Sequence, residues 1–204
     1  PVRGLFSIPF AGLTEDGLPT FINQDGQKTI SSFNFQEYEK LDFLKYEGPT
    51  DPTITGSFGN ILTYKNLKLN VFVTYSFGNV IRLDPVFSNA YSDLDAMPKE
   101  FKNRWMKAGD ENVTNIPTIV STRMNQQYAY LNMAYNAYNY SDVRIADGGF
   151  IRLKEISLSY DLPAKVINFF RLNKLQLKLQ ATNLCLLYAD SKLNGQDPAF
   201  PAFR

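Results

Sequence analysis

Residues 173–187 read Asn-Lys-Leu-Gln-Leu-Lys-Leu-Gln-Ala-Thr-Asn-Leu-Cys-Leu-Leu. Apolar side chains occupy every second position from Leu175 to Ala181, and Lys, Gln and Thr occupy the positions between them. A strict period of two is typical of a β-strand with one apolar and one polar face. The alternation breaks after Thr182, which indicates either a β-bulge or the end of the strand.

The same alternation recurs upstream, over 54–64, 67–82 and 149–161. A tight turn is predicted at Lys65-Asn66, because asparagine tolerates a left-handed backbone. The apolar positions of the third stretch change parity at Lys154-Glu155, which predicts a bulge. A weaker strand at 5–11 and one helical turn within 164–172 complete the predicted elements.

The composition excludes several classes of function. The chain has 204 residues, a net charge of +1, no histidine and one cysteine. Ser-His-Asp or Cys-His catalysis, a His-ligated metal and an internal disulfide are therefore excluded, and the charge gives no general attraction to nucleic acid. Aromatic residues make up 14% of the chain, yet its mean hydropathy is −0.25, which favours alternating strands over buried helices.

Acidic pairs in polar loops, such as Asp93 with Asp95 or Asp110 with Glu111, are read as solvated surface charge. No spacing typical of a calcium loop or a phosphate loop is present. We expect no catalytic residue, no metal and no cofactor.

The connections between the predicted strands are of two kinds. Those near 65–66 and 162–173 are short, whereas those at 12–53 and 84–148 are long, with a short surface helix predicted at 92–107. Long connections at one end and short turns at the other are typical of antiparallel strands in outer-membrane proteins. Apolar stretches of about 9–10 residues are also long enough for a tilted strand to cross a bilayer.

Six segments resemble motifs of SusC/RagA-type TonB-dependent outer-membrane transporters, in the family's order and spacing. They are Ala11-Gly12-Leu13 with Asp16–Pro19, Gly56–Asn60 with Leu62–Leu67, Asn103-Arg104-Trp105, Gly148–Pro163, Leu175–Leu184, and Gly195-Gln196-Asp197-Pro198. The last departs from the family pattern, because Ala199 stands where a glutamate is usual.

The resemblance implies an all-β fold: an antiparallel meander forming part of a transmembrane β-barrel of about 22 strands. It covers the C-terminal part of such a transporter, so 1–204 is expected to be a partial barrel segment without the plug, the TonB box and the last strand. A soluble carbohydrate-binding β-sandwich is the alternative, since alternation alone does not distinguish the two.

For function, the resemblance implies TonB-dependent uptake of oligosaccharides or peptides across the bacterial outer membrane, without enzymatic activity. The implied partners are the rest of the transporter chain, a SusD-like surface lipoprotein, TonB acting through the plug, and the lipid bilayer; no nucleic acid is expected.

In that interpretation the two strand faces have different surroundings. The side chains expected to face lipid are Leu67, Leu69, Val71, Val73, Leu175, Leu177 and Leu179; those expected to face the lumen are Lys68, Asn70, Lys174, Gln176 and Lys178. Tyr64, Tyr75 and Tyr160 lie at strand ends, where they fit either an aromatic girdle at the membrane surface or ordinary cross-strand packing.

Tyrosine and asparagine dominate the segment 128–140. Tyrosine rings stack on sugars and asparagine amides bond hydroxyl groups, so the segment is a candidate for substrate or partner contact. The alternative is a loop that packs on itself or on a partner subunit. The candidate contact residues are Tyr128, Tyr130, Tyr135, Tyr138, Tyr140 and, in the preceding loop, Trp105.

Overall fold

The computed structural model describes residues 3–32, 41–86, 98–128, 130–169 and 172–200. The chain divides into two compact units. The sheet unit comprises Pro52–Asn79 and Asp147–Asp190; the core unit comprises Pro1–Asp51, Val80–Ala146 and Ser191–Arg204.

The sheet unit is a four-stranded antiparallel sheet. Its strands are β6 (Ile54–Tyr64), β7 (Leu67–Phe77), β10 (Phe150–Asp161) and β11 (Gln176–Ala189), in the spatial order β11-β10-β7-β6. A two-residue turn joins β6 to β7, with Lys65 at φ 54°. The sequence predicted this turn from the tolerance of Asn66 for a left-handed backbone, but the left-handed residue is Lys65. The short helix α3 (Ala164–Phe169) lies between β10 and β11, as the sequence predicted.

Bulges keep the apolar side chains of β10 and β11 on one face. The register of β10 shifts between Leu153 and Glu155 against both of its neighbours. Lys154 is the extra residue relative to β7, whereas β11 has one residue more than β10 at this point. This shift brings the odd-numbered apolar positions before it onto the same face as the even-numbered ones after it. On β11 the matching register shift lies between Thr182 and Cys185 and contains Asn183, at φ 52°. The break in alternation after Thr182 is therefore a bulge and not the end of the strand.

The predicted strand over 67–82 is wrong at its end. It stops at Phe77, Gly78 adopts φ 83°, and a separate strand β8 (Val80–Arg82) pairs with β9 (Ile145–Asp147). A side chain on residue 78 would also collide with Thr53, because an added Cβ lies 2.0 Å from Thr53 Oγ1. Glycine therefore permits the turn that separates the two strands.

The core unit carries the remaining short strands. They are β1 (Gly4–Ser7), β2 (Phe10–Leu13), β3 (Pro19–Ile22), β4 (Lys28–Thr29) and β5 (Lys45–Pro49). Strand β1 pairs with β5, and β2, β3 and β4 form a three-stranded sheet. The single strand predicted at 5–11 is thus two strands in different sheets, and the expected long loop over 12–53 contains three strands.

Helices pack on these strands. Helix α1 (Thr122–Gln127) is capped by the Ser121 hydroxyl, and α2 (Leu131–Asn139) lies in the segment that was expected to be a loop. The hydrophobic core of the unit comprises Ile8, Leu18, Phe21, Val86, Phe101, Leu131, Ala134, Tyr135, Ala137 and Tyr138. Helix α2 belongs to that core because Leu131, Ala134, Tyr135 and Tyr138 fall on one helical face.

The helix predicted at 92–107 is corrected in part. Lys99–Asn103 forms a 3-10 helix and the chain continues as a loop through Trp105, while 92–97 lie outside the described residues. None of the described helices is long and apolar enough to cross a membrane.

Candidate functional site

The apolar face of the four-stranded sheet is open instead of packed in a core. Leu179 is 75% exposed and Phe58 is 65% exposed, and polar side chains of the edge strand β11, such as Lys178 and Gln180, are exposed on the other face. A sheet of a water-soluble domain normally buries its apolar face in a core. The apolar face of this sheet is not buried among the described residues, which suits an apolar surrounding on that side and a polar one on the other.

The register defines the membership of the apolar face. Its side chains are Phe58, Leu62 and Tyr64 on β6; Leu67, Leu69, Val71, Val73 and Tyr75 on β7; Ile151, Leu153, Ile156, Leu158 and Tyr160 on β10; and Leu177, Leu179, Ala181, Cys185 and Tyr188 on β11. The predicted grouping of Leu67, Leu69, Val71, Val73, Leu177 and Leu179 is confirmed; Leu175 lies just before β11.

Tyrosines border this face at both ends. Tyr64 and Tyr160 lie in one cross-strand row, beside the turn at Lys65. Tyr75 and Tyr188 lie in the row at the other end, where Phe77 packs against both rings at centroid distances of 6.1 and 6.2 Å. Aliphatic residues fill most of the rows between, so the pattern is an apolar band between two aromatic borders.

The polar face carries a ladder of hydrogen bonds. Asn70 Nδ2 donates to Glu155 Oε1 at 3.2 Å, Lys68 Nζ lies 3.7 Å from Asp161 Oδ2, and Gln176 Nε2 donates to Asp161 Oδ1 at 2.9 Å. The register places Lys68, Asn70, Gln176 and Lys178 on this one face, as predicted, while Lys174 lies before the strand. These groups are suited to contact a polar occupant.

The candidate contact residues of the core unit fall into a buried group and an exposed group. Tyr135 and Tyr138 are 2% and 1% exposed and lie in the core of the unit. Tyr135 donates to Thr118 O at 2.6 Å, and Tyr138 packs edge-on against Phe10. Burial raises the pKa of Tyr138 to about 12. Their surroundings agree with the packing interpretation of this segment.

Tyr130 and Tyr140 are exposed at the two ends of α2. The Tyr140 ring lies over the buried Arg82 guanidinium at 4.8 Å. Arg82 also donates to Phe6 O at 2.8 Å, and burial lowers its pKa. The exposed Tyr140 ring is therefore held in place by its contact with the Arg82 guanidinium.

Trp105 and Tyr128 converge on one turn. Tyr128 Oη donates to Asp16 Oδ2 at 2.8 Å, which raises the pKa of Tyr128. Trp105 lies against Gly17 and donates from Nε1 to Glu111 Oε2 at 3.0 Å. Glu111, bonded by its own backbone N–H and by the indole, has a lowered pKa. Two of the candidates are thus brought together at one turn.

Sequence reasoning missed the buried arginine beside these residues. Arg144 pairs with Glu100 at 2.7 Å and donates to Asp84 O at 2.6 Å, under the Tyr138 ring. In the sequence Arg144 stands between Asp142 and Asp147 and resembles an ordinary surface charge, so nothing local identifies a buried ion pair with Glu100.

Comparison with known proteins gives one sequence relative and several structures. No family model matches the chain. "TonB-dependent receptor P3" of Formosa agariphila is 26% identical over 188 residues, which are 92% of this chain and 16% of that protein. A chain of the RagAB peptide transporter superposes with a TM-score of 0.60 at 20% identity, covering 96% of this chain and 20% of its own length. The RagAB peptide importer in the open-open state gives 0.59 at 20% identity, covering 95% and 19%.

The chain resembles a TonB-dependent receptor in sequence and shares its fold with a chain of the RagAB peptide transporter. It spans about a sixth of the curated relative and a fifth of the RagAB chain that it matches. The resemblance to SusC/RagA-type receptors that the motifs indicated is confirmed, and the shared fold extends over both the sheet unit and the core unit.

Proposed function

We propose that this chain supplies wall strands and surface segments of a TonB-dependent transporter of the bacterial outer membrane. The observation that carries the proposal is the open apolar face of the sheet, on which Leu177 and Leu179 are 60% and 75% exposed. Lipid tails favour such a face, because they remove its apolar side chains from water.

The dimensions of the apolar band support this reading. Eight residues separate Leu67 from Tyr75 on β7, which is about 27 Å at roughly 3.4 Å per residue. A strand tilt of about 40° reduces this to a height of about 20 Å, close to the apolar band of roughly 25 Å in outer-membrane barrels. The bordering tyrosines then lie at the two membrane surfaces.

The strand edges favour the same proposal. Strands β6 and β11 are the edges of the sheet, at 11 and 14 residues, and no other described strand pairs with their outer sides. Long open edges promote aggregation unless another strand covers them. We take these edges to be paired in the whole receptor, within a closed barrel, and 1–204 to supply part of its C-terminal wall. The β-sandwich alternative is disfavoured, because it would bury the apolar face under a second sheet.

For the whole protein, the proposal includes uptake of oligosaccharides or peptides, energised by TonB through a plug. The RagAB chain that shares this fold belongs to a peptide transporter. The partner that we propose for the whole protein is a SusD-like surface lipoprotein. Tyr128, Tyr130, Tyr140 and Trp105 are retained as candidate contacts for substrate or lipoprotein; Tyr135 and Tyr138 act by packing.

A charge placed on each face of β11 tests the orientation of the sheet. In the complete receptor, Ala181→Arg introduces a guanidinium in the middle row of the apolar face, and Gln180→Arg introduces one on the polar face next to it. We expect Ala181→Arg to destabilise the receptor in lipid vesicles by about 2–4 kcal/mol, measured by urea titration. Gln180→Arg is the control, with little change expected. Equal effects would contradict a lipid-facing wall.

Transport itself is tested in cells. Deletion of the complete gene is expected to abolish protonophore-sensitive accumulation of either fluorescent oligosaccharides or fluorescent peptides, and the class that is lost identifies the substrate. Unchanged accumulation of both classes would contradict the proposed uptake.

A further inference from the structure

The bulge in the sheet places a polar pair among the apolar side chains. Lys154 is the extra residue of β10 relative to β7, and its side chain is exposed. Its Nζ donates a hydrogen bond to Asn183 Oδ1 at 2.6 Å, and Asn183 is exposed as well. On β11, Asn183 lies midway between Ala181 and Cys185, which both belong to the apolar face. The ammonium group that contacts Asn183 therefore lies on that face.

This ammonium group has a neutral partner and no compensating charge on its face. The Asn183 oxygen accepts from one of the three N–H groups of Lys154. Among the side chains that the register of the described strands places on the apolar face, none is acidic. A cation in an apolar layer is unfavourable, and the penalty falls steeply from the middle of the bilayer towards its surface. Such a residue is expected to have a function and a partner.

The position of Lys154 along the apolar band decides which part of a bilayer it meets. Its neighbour Leu153 pairs with Val73, which is two residues from Tyr75 in an aromatic border. Two residues extend about 7 Å along a strand, or about 5 Å in height at a tilt of about 40°. The four methylenes of a lysine cover such a distance. The ammonium group therefore reaches the headgroup layer while its stem stays in the apolar layer.

The aromatic border at Tyr75 lies at the end of the sheet opposite to the short connections. The turn at Lys65 and the helix α3 connect the strands at the other end. Short turns of outer-membrane proteins face the periplasm, so the Tyr75 border faces the outer leaflet. The lipid of that leaflet is a phosphorylated glycolipid, and its phosphate supplies the negative charge that the apolar face lacks. We propose that Lys154 binds the phosphate of an outer-leaflet glycolipid.

The inference rests on the proposed function, because Lys154 meets lipid only if the sheet is part of a membrane wall. Its test is lipid competition at Cys185, which is exposed and lies opposite Leu153. The complete receptor, with a bimane label on Cys185 and its other cysteines replaced by serine, is reconstituted in vesicles of brominated phosphatidylcholine, which quenches the label. Unbrominated lipid A is added, either phosphorylated or dephosphorylated. We expect the phosphorylated form to relieve half of the quenching at a mole fraction about fivefold lower.

Three variants show whether this preference is due to Lys154. Lys154→Met keeps an unbranched side chain but removes the charge, so the two forms of lipid A should then compete equally. Lys154→Arg keeps the charge and should keep the preference. Lys178→Met removes a lysine from the polar face of the neighbouring strand and is the control, with the preference unchanged. A preference that survives in Lys154→Met, or that is lost in Lys178→Met, overturns the inference.

The same assay distinguishes the source of the phosphate and the level at which the inference fails. Phosphatidylglycerol is an anionic phospholipid, and if it competes as well as phosphorylated lipid A, the glycolipid assignment is overturned. Equal competition by both forms of lipid A in the unsubstituted receptor overturns the phosphate site alone, because quenching still shows that Cys185 faces lipid. The absence of quenching by the brominated lipid overturns the lipid-facing wall on which the inference rests.

Discussion

The indole ring of Trp105 lies directly against the backbone of Gly17. A Cβ added to Gly17 would be 2.4 Å from Trp105 Cδ2, and the glycine adopts φ +74°. Its carbonyl accepts a hydrogen bond from Thr118 N at 3.0 Å. The segment that contains Trp105 and Thr118 therefore packs on the turn between β2 and β3. The contact brings together two of the sequence motifs, Asp16–Pro19 and Asn103-Arg104-Trp105.

Gly17→Ala is expected to destabilise the receptor by about 2–5 kcal/mol. Alanine in a left-handed conformation costs roughly 1–2 kcal/mol, and overpacking against the indole adds about 1–3 kcal/mol. The free energy of unfolding, from urea titration of the complete receptor in detergent, measures the loss.

Gly26→Ala is the matched control for the contact. Gly26 has φ +73°, and nothing lies within 4 Å of an added Cβ, so only the backbone cost applies. Trp105→Ala combined with Gly17→Ala should recover part of the loss. If the two glycine variants are equally destabilised, the indole contact contributes nothing to stability.

The Arg144–Glu100 pair anchors the 3-10 helix Lys99–Asn103 to the residues after α2. Its atoms are 2.7 Å apart, and the Arg144 side chain is almost fully buried. Glu100→Ala leaves this guanidinium without its carboxylate, so we expect a loss of about 3–5 kcal/mol. Thermal unfolding of the complete receptor, compared with wild type, measures it.

The pair Lys45–Glu47, at 3.1 Å, provides the comparison for that prediction, because its cation is half exposed whereas the Arg144 guanidinium is buried. Glu47 itself is 13% exposed and keeps the hydrogen bond from the Ser7 hydroxyl at 2.7 Å when the lysine is removed. The hydrogen bond that Lys45 donates to Glu47 raises the pKa of Lys45, but half of the lysine side chain is in water, and pairs at the surface contribute about 0–1 kcal/mol. Lys45→Met should therefore change stability little. A loss as large as that of Glu100→Ala would mean that burial does not set the strength of the Arg144 pair.

Alkaline pH should weaken the core unit through Tyr138. Burial raises the pKa of Tyr138 from 10.0 to about 12, so the native state keeps a proton that the unfolded state releases. The contribution of the protonated Tyr138 to the free energy of unfolding is fully present below pH 10. It is lost between about pH 10 and pH 12, on the order of 2–3 kcal/mol in total. Phenolate absorbance at 295 nm should show one late-titrating tyrosine that Tyr138→Phe removes. A titration unchanged by Tyr138→Phe would contradict this assignment.

The sheet could be predicted from sequence because its information is local. Alternation along each strand gives the face of every residue, and a change of parity at Lys154 reveals the bulge without knowledge of the partner strand. The limits of β7 were not predictable in the same way. Val80 and Ile81 resume the apolar pattern after Gly78-Asn79, a dipeptide typical of turns, and the φ of +83° at Gly78 separates them from the strand.

The core unit could not be predicted, because long-range contacts determine it. Strands of two to five residues give too few alternations to recognise, and β1 pairs with β5 across 38 or more residues of sequence. Helix α2 did leave a signal, the helical spacing of Leu131, Ala134, Tyr135 and Tyr138, but its Tyr and Asn content favoured a loop. The candidate contact residues were therefore chosen by residue type, and two of them are buried.

Phe72 is the apolar exception on the polar face of β7, and the structure gives it a reason. Its ring lies over Gly59 of the edge strand β6, where an added Cβ would be 2.9 Å from Phe72 Cδ2. An aromatic ring across an edge glycine covers backbone that would otherwise be solvated. Phe72→Thr restores the alternation but uncovers Gly59, so we expect a net loss of about 1 kcal/mol in lipid vesicles, measured by urea titration.

The double variant Phe72→Thr with Gly59→Thr places two β-branched residues opposite each other and should recover most of that loss. Gly59→Thr alone should be worse than the double variant, because the new side chain meets the intact ring. Tyr75 over Gly56 repeats the arrangement on the apolar face, with Tyr75 Oη 2.4 Å from an added Cβ. Additive single effects at Phe72 and Gly59 would mean that the ring and the glycine act independently, and the exception at position 72 would then need another cause.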